Sequence, residues 1–162
     1  YMSIAELKYV LTSLIKEGIS VKDIVYIFEK INDFSDETDK EELLSGLRMS
    51  LARQISNSVA SDDNIINAYN LSQETVDMFS EESEDEDIIR IDGIKLENLT
   101  EKIKSIISES ESKEIVLVAP FEIRHAVYLV LSKMCDNIRV ISREEIASGY
   151  ELKILGNICF IQ

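Results

Sequence analysis

The stretch EIVLVAPFEIRHAVYLVL at 114–131 carries the residues best placed for chemistry. The apolar run 115–119 predicts a buried strand, Pro120 ends it, and apolar residues at helical spacing follow. A strand, a sharp turn and a helix is how many α/β enzymes hold a phosphate or a nucleophile. His125, the only histidine of the chain, falls on the first turn of this helix and is a candidate general base.

The turn itself lacks what such a site requires. A phosphate cradle needs glycines so that the backbone can approach the anion, and Pro120-Phe121-Glu122 has none. A nucleophile elbow needs Gly-x-Ser-x-Gly, and neither serine nor cysteine stands here. Pro120 and Glu122 instead suit an ordinary first helical turn. We therefore interpret this stretch as part of the structural frame, with His125 at a surface or interface, and predict no enzyme activity.

Metal and cofactor chemistry is similarly unsupported. One histidine cannot build a histidine-rich metal site, although carboxylate ligation stays open. The acidic run EESEDED at 81–87 lacks the glycine and the ligand spacing of a calcium loop. Cys135 and Cys159 show no metal or redox spacing and are expected to be buried thiols in a reducing compartment. We predict no cofactor and no metal.

Three arginines are candidates for contacts. Arg124 projects from a helix start, where the helix dipole disfavours a cation, so it should find either an acidic partner or another subunit. The acidic candidates are Glu122, Glu144 and Glu145. Arg48 and Arg53 are expected on a solvated helix face, from which they could pair across an interface.

Residues 1–58 predict three helices that position these side chains. Ser3 with Glu6 forms a capping box, Gly18 ends the first helix, Ser20 opens the second, and Thr38 with Glu41 caps the third. The predicted buried stripes are Ile4, Leu7, Leu11, Leu14 and Ile15; Ile24, Ile27, Phe28 and Ile31; Leu44, Leu47, Leu51 and Ile55.

After the polar linker 57–63 the pattern changes to alternating strands and helices. Strands are predicted at 65–71, 88–91, 114–119, 137–141 and near 151–161, with helices at 72–79, 96–107 and 122–134. The order favours parallel strands joined by crossovers, with the last strand added antiparallel at an edge. The predicted fold class is thus α+β or α/β: a small N-terminal three-helix subdomain, 1–58, and a compact α/β sandwich subdomain, 64–162, with an acidic insertion at 81–87.

Composition limits the partners. The 162 residues carry a net charge of −14, which disfavours nucleic acid and anionic membrane surfaces. No apolar run approaches the roughly 18 residues of a membrane span. Because the chain begins at Tyr1, we expect a piece of a longer protein whose membrane anchor, if any, lies in the missing part. The fragment itself is expected to be soluble and cytoplasmic.

Four stretches carry a resemblance. They are VLTSLIKEGISVKDIVYIFEKI (10–31), LRMSLARQI (47–55), LVAPFEIRHAVYLVL (117–131) and IRVISREEI (138–146). In this order and spacing the chain resembles the last two cytoplasmic subdomains of the type III secretion and flagellar export gate family (the FlhA/InvA, or FHIPEP, family). The matching motif residues are Glu17, Val21, Asp23 and Ile24; Arg53, Gln54 and Ile55; Pro120, Ile123 and Arg124; Ser142, Glu145 and Ile146. Arg143, where many members have tyrosine, and the run 81–87 depart from the pattern.

The resemblance implies an interaction role at the cytoplasmic face of a bacterial inner membrane. Members form a homo-oligomeric ring of nine that docks export substrates and chaperones, contacts other export-apparatus subunits and contributes to substrate switching. Membrane contact would come only through an N-terminal region missing here. The interaction residues it favours are Asp23, Arg48, Arg53 and Arg124. A flagellar and an injectisome machine are equally compatible with it.

Two alternatives belong to other function classes. A cytosolic acidic regulator would bind a basic partner through residues 81–87, and its affinity would fall with salt. A small α/β enzyme would use His125 and nearby acids, and would lose turnover on His125→Ala.

Overall fold

The computed structural model describes residues 2–34, 39–81 and 92–161, and its chain forms two units. The first comprises Tyr1–Ser58 and Glu144–Ser148, and the second Val59–Arg143 and Gly149–Gln162. We call Glu144–Ser148 the returning segment, because the chain contributes it to the first unit between two stretches of the second. The sequence prediction gave all of 64–162 to one subdomain and did not anticipate this segment.

The described residues of the first unit form four helices: α1 (Ile4–Lys16), α2 (Ile24–Asp33), α3 (Lys40–Ser50) and α4 (Ala52–Val59). The single third helix predicted from the sequence is therefore divided at Leu51. Two hydrogen bonds accompany the break: the Ser50 hydroxyl donates to the Gly46 carbonyl at 3.2 Å, and the Tyr26 hydroxyl donates to the Ser50 carbonyl at 3.1 Å. Both occupy helix carbonyls with side-chain donors, an arrangement that favours bending.

The helix ends follow the local sequence in part. Ser3 and Glu6 form the predicted capping box, and Gly18, at φ +76°, ends α1 with the Ile19 N–H donating to the Leu14 carbonyl at 2.9 Å. The cap of α2 is Asp23 rather than Ser20. Helix α3 is capped by Asp39, and the predicted cap Thr38 lies outside the described residues.

The core of the first unit is formed mainly by leucine and isoleucine. The predicted stripe Leu44, Leu47, Leu51 and Ile55 is fully buried. On α1 the buried face runs through Val10 and Leu14, so the predicted core residues Ile4 and Ile15 are 87% and 58% exposed. Apolar residues lie on more than one side of α1, so the sequence pattern does not select the buried face, and packing decides it.

The second unit is built on a parallel sheet. In chain order its elements are β1 (Ile65–Leu71), α5 (Gln73–Glu81), α6 (Gly93–Glu109), β2 (Ile115–Val118), α7 (Arg124–Leu131), β3 (Ile138–Ile141) and β4 (Glu151–Ile158). The order of the four described strands is β3-β2-β1-β4, and every pair is parallel. The predicted strand at 88–91 and the acidic run, apart from the backbone of Glu81, lie outside the described residues.

The last strand corrects a prediction, because β4 runs parallel to β1 rather than antiparallel. The residues between β3 and β4 give the chain enough length to return to the end of the sheet where β1 starts, and the Glu151 N–H donates to the Asn64 carbonyl there. The register shifts once: Ala68 pairs with Ile154 and Tyr69 with Gly156, so Leu155 is bulged out of the ladder.

Helices α6 and α7 pack against the sheet around one apolar core. Its fully buried side chains include Leu99, Ile103, Leu117, Val127 and Leu131. Helix α7 begins at Arg124, so Pro120 and Glu122 form the turn before the helix rather than its first turn.

Candidate functional site

The first unit contains a buried ionic cluster of one arginine and two glutamates. Arg48 lies near the end of α3, Glu17 caps the C-terminus of α1, and Glu145 belongs to the returning segment. Arg48 Nε donates to Glu145 Oε2 at 2.6 Å and Nη2 donates to Oε1 at 3.0 Å, a bidentate pair. Arg48 Nη1 lies 3.3 Å from Glu17 Oε2. We call these three residues the ionic cluster.

Burial decides what the ionic cluster can do. Its three side chains are 2%, 4% and 1% exposed for Arg48, Glu17 and Glu145. A carboxylate so enclosed cannot exchange protons with a substrate in solution, which argues against acid–base catalysis here. Buried charges of this kind persist only when they are paired, so the ionic cluster has a structural role.

Main-chain contacts fasten the returning segment beside the ionic cluster. The buried Ser56 hydroxyl donates to the Glu145 carbonyl at 3.1 Å and accepts from the Ala147 N–H at 2.9 Å. Arg53 Nη2 donates to the Ser148 carbonyl at 3.4 Å from the exposed face of α4. Helices α3 and α4 therefore hold one carboxylate and three main-chain groups of the same short segment.

The predicted interaction residues fall in different surroundings. Arg48 was expected on a solvated face, and that expectation is wrong, because the side chain points into the core. Arg53 is exposed, as expected, and contacts the same returning segment as Arg48. Asp23 is exposed and caps α2, its carboxylate accepting from the Tyr26 N–H at 3.2 Å. Whether any of them contacts a partner stays a prediction.

Arg124 is 3% exposed at the first position of α7. Its guanidinium donates to the carbonyl of Val140 in β3 at 2.9 Å. This contact ties α7 to a sheet strand from within the core of the second unit. Arg124 therefore has a packing role here, and its proposed contact with another subunit stays a prediction.

The carboxyl edge of the sheet, where parallel sheets commonly bind ligands, is occupied by the protein's own groups between β1 and β4. The Ser72 N–H and the Thr75 hydroxyl both donate to the Ile158 carbonyl, at 2.8 and 3.4 Å. Lys102 donates to the carbonyls of Cys159, at 2.6 Å, and Ile161. These contacts hold the residues after β4 against α5 and α6.

His125 and the cysteines show no catalytic arrangement in the described part of the chain. The His125 ring lies parallel to that of Tyr128, with centroids 6.5 Å apart. Both cysteines are free thiols, Cys135 buried and Cys159 half-buried, so the expected burial of Cys159 is wrong. Residues 2–34, 39–81 and 92–161 contain no cluster of three His, Cys, Asp or Glu side chains able to hold a metal.

The two thiols have opposite pKa shifts. Burial raises the pKa of Cys135 above the ordinary thiol value. Burial also acts to raise the pKa of Cys159, but hydrogen bonds with Ser72, the Ile161 N–H and Thr75 outweigh it and lower the pKa. Cys159 is therefore the more acidic thiol.

Sequence reasoning missed Glu17 and Ser56 as partners of this arrangement and weighed Glu145 only as a partner of Arg124. One signal was available for Arg48. It stands four residues after Leu44 and three before Leu51, so it falls within the apolar stripe itself. A charged residue in such a position predicts a buried ion pair.

The comparisons with known proteins identify one family. The model of the FHIPEP family matches residues 1–151. The flagellar biosynthesis protein FlhA of Bacillus subtilis is 22% identical over 164 aligned residues, covering 96% of this chain and 24% of FlhA. Within the described residues, none of the helices is both long and apolar enough to cross a membrane.

Solved structures share the fold. The Shigella flexneri MxiA protein superposes with a TM-score of 0.86 at 26% identity, covering 97% of this chain and 50% of that one. The nonameric EscV cytosolic domain from the type III secretion system superposes with a TM-score of 0.76 at 22% identity, covering 92% of this chain and 46% of EscV. The chain thus spans about a quarter of the FlhA relative and half of these structures.

Proposed function

The chain belongs to the FHIPEP family, and from that membership we propose that it is a cytoplasmic part of a bacterial type III protein export gate. The observation that carries the proposal is the family match, which spans nearly the whole chain. The fold shared with MxiA supports it. The ionic cluster also supports it, because Glu17 and Glu145, two of the motif residues behind the resemblance, pair there with Arg48.

We further propose that copies of the protein assemble into a ring, a proposal supported by the shared fold of the nonameric EscV cytosolic domain. The ring is a platform below the inner membrane that receives export substrates and chaperones and contributes to switching between substrate classes. Arg53 and Asp23 are the predicted interaction residues with exposed side chains, so they are the ones available for direct contact with a neighbour. Arg48 and Arg124 are buried and would act by shaping the fold.

Secretion in the native cell tests the proposal. In the full gene, residues 1–162 are deleted in frame, production of the truncated protein is confirmed by immunoblot, and the medium is assayed. Loss of hook and filament proteins indicates a flagellar gate, and loss of effector proteins an injectisome. Unchanged export of both would refute an export role.

A charge reversal refines the test without removing a domain. Arg53→Glu is expected to reduce export. The control is Lys133→Glu, which reverses an exposed cation of the second unit outside the matched motifs and is expected to leave export unchanged. Equal export from the two variants would remove Arg53 from the proposed contacts while leaving the deletion result to stand.

A further inference from the structure

In the first unit, called the helical unit from here on, two helices bind the returning segment. Helix α3 supplies the guanidinium of Arg48 and helix α4 supplies the Ser56 hydroxyl. Together they take the Glu145 carboxylate, the Glu145 carbonyl and the Ala147 N–H. Recognition is thus one bidentate charge pair and two hydrogen bonds to a single hydroxyl.

We infer that the helical unit is stable only with this segment bound, so that residues 1–58 are not an autonomous domain. Detaching the segment would leave the Arg48 guanidinium inside the core without its bidentate partner, with Glu17 as its other acidic neighbour. It would also leave the Ser56 hydroxyl, 1% exposed, without two of its contacts. Buried polar groups deprived of partners strongly disfavour the structure that encloses them, so α3 and α4 must open for water to reach them.

The returning segment lies far along the chain from the helices that it stabilises, and this affects when the helical unit can fold. The two hydrogen bonds between Ser56 and the returning segment join residues that are 89 and 91 positions apart in the sequence. The helical unit can therefore complete its core only after the chain through Ser148 has been made. Opening of the helical unit is accordingly expected as one cooperative event that includes residues 144–148.

Amide hydrogen exchange on the full chain tests the inference. Glu145→Gln removes the charge that pairs with Arg48 at nearly constant shape, and Ser56→Ala removes the two hydrogen bonds while keeping all three charges of the ionic cluster. Glu144→Gln is the matched control, because Glu144 is the neighbouring glutamate and is exposed. The reporters are the amides of Leu14, Leu47 and Ile55 in the helical unit and those of Leu117 and Val140 in the sheet.

We expect exchange of the helical-unit amides to accelerate at least tenfold in Glu145→Gln and in Ser56→Ala, with sheet amides within about twofold of the unmodified chain. Glu144→Gln should change neither set. Acceleration confined to the amides of residues 144–148 would overturn the inference, because the segment would then detach without destabilising the helices. Equal acceleration of the sheet amides, or an equal effect of Glu144→Gln, would also overturn it. Should Glu145→Gln fail to fold, Ser56→Ala decides alone.

Discussion

At the scale of single residues, Arg48 shows how burial changes the meaning of a charge. On an exposed face an arginine contributes little, whereas inside a core it binds distant parts of the chain together. Two of its partners come from the end of α1 and from the returning segment, so one side chain joins three separate stretches of sequence. Loss of Arg48 therefore affects more than one helix.

The first prediction concerns this arginine. Arg48→Ala should lower the free energy of unfolding by about 3–5 kcal/mol, because it leaves two carboxylates buried without their cation. Arg53→Ala, its exposed neighbour on α4, should change it by at most about 0.5 kcal/mol. Urea titration followed by circular dichroism measures both. Similar losses in the two variants would contradict a buried role for Arg48.

A second prediction separates the two thiols. At pH 7.5 iodoacetamide should modify Cys159 at least about tenfold faster than Cys135, because a lowered pKa gives Cys159 more thiolate and Cys135 is both buried and raised in pKa. As pH falls, the rate at Cys159 should decline at a lower pH than for an ordinary thiol.

Ser72→Ala should move the pH midpoint at Cys159 upward by removing one hydrogen bond to the thiolate. Peptide mapping by mass spectrometry after timed alkylation gives the rate at each site, with Cys135→Ser as the control that isolates Cys159. A faster reaction at Cys135 would refute the assignment.

At the scale of elements, two glycines differ in backbone conformation although both have free space for an added Cβ atom. Gly149, where the chain re-enters the second unit, has φ +91°, and an added Cβ would meet no atom within 4 Å. Gly93 opens α6 with equally free space and no positive φ. The comparison isolates backbone conformation from packing.

Gly149→Ala should therefore lower the free energy of unfolding by about 1–2 kcal/mol, since alanine is strained in that region. Gly93→Ala should raise it by about 0.4–1 kcal/mol, because alanine loses less conformational entropy than glycine on folding at an unstrained position. Thermal unfolding of the two variants side by side checks the signs. Matching signs would contradict the backbone assignments.

Local patterns predicted the elements well and the long-range arrangement less well. The capping box at Ser3, the glycine end of α1 and the strand at 115–118 were all evident, because each depends on neighbours within a few residues. The parallel direction of β4 was not, because it depends on where the chain goes between residues 142 and 150. Sequence periodicity contains no information on that path.

The same distinction explains the ionic cluster. Arg48 carried a local signal in its position within an apolar stripe, but Glu145 lies 97 residues away. Its pairing follows from the tertiary fold alone. The family resemblance marked Glu17 and Glu145 as motif residues without indicating that they share one arginine.

At the scale of the whole molecule, charge governs how copies meet. A net charge of −14 makes like copies repel at low ionic strength. Sedimentation of the chain should show the 18.4 kDa monomer at about 50 mM salt, with association that strengthens towards about 500 mM as the repulsion is screened. A tight ring at low salt, formed by these residues alone, would contradict this expectation.

The bulge at Leu155 affects how readily the edge of the sheet can aggregate. Strand β4 is the last of the described strands on its side of the sheet, and such a border offers unpaired peptide groups on which a foreign strand can template itself. The bulge interrupts the regular ladder, and Tyr69 covers Gly156 beside it, its ring 3.5 Å from where a Cβ would stand. The bulge therefore lowers the tendency of β4 to template fibrillar aggregation, and leaves side chains rather than main chain to determine which surfaces associate.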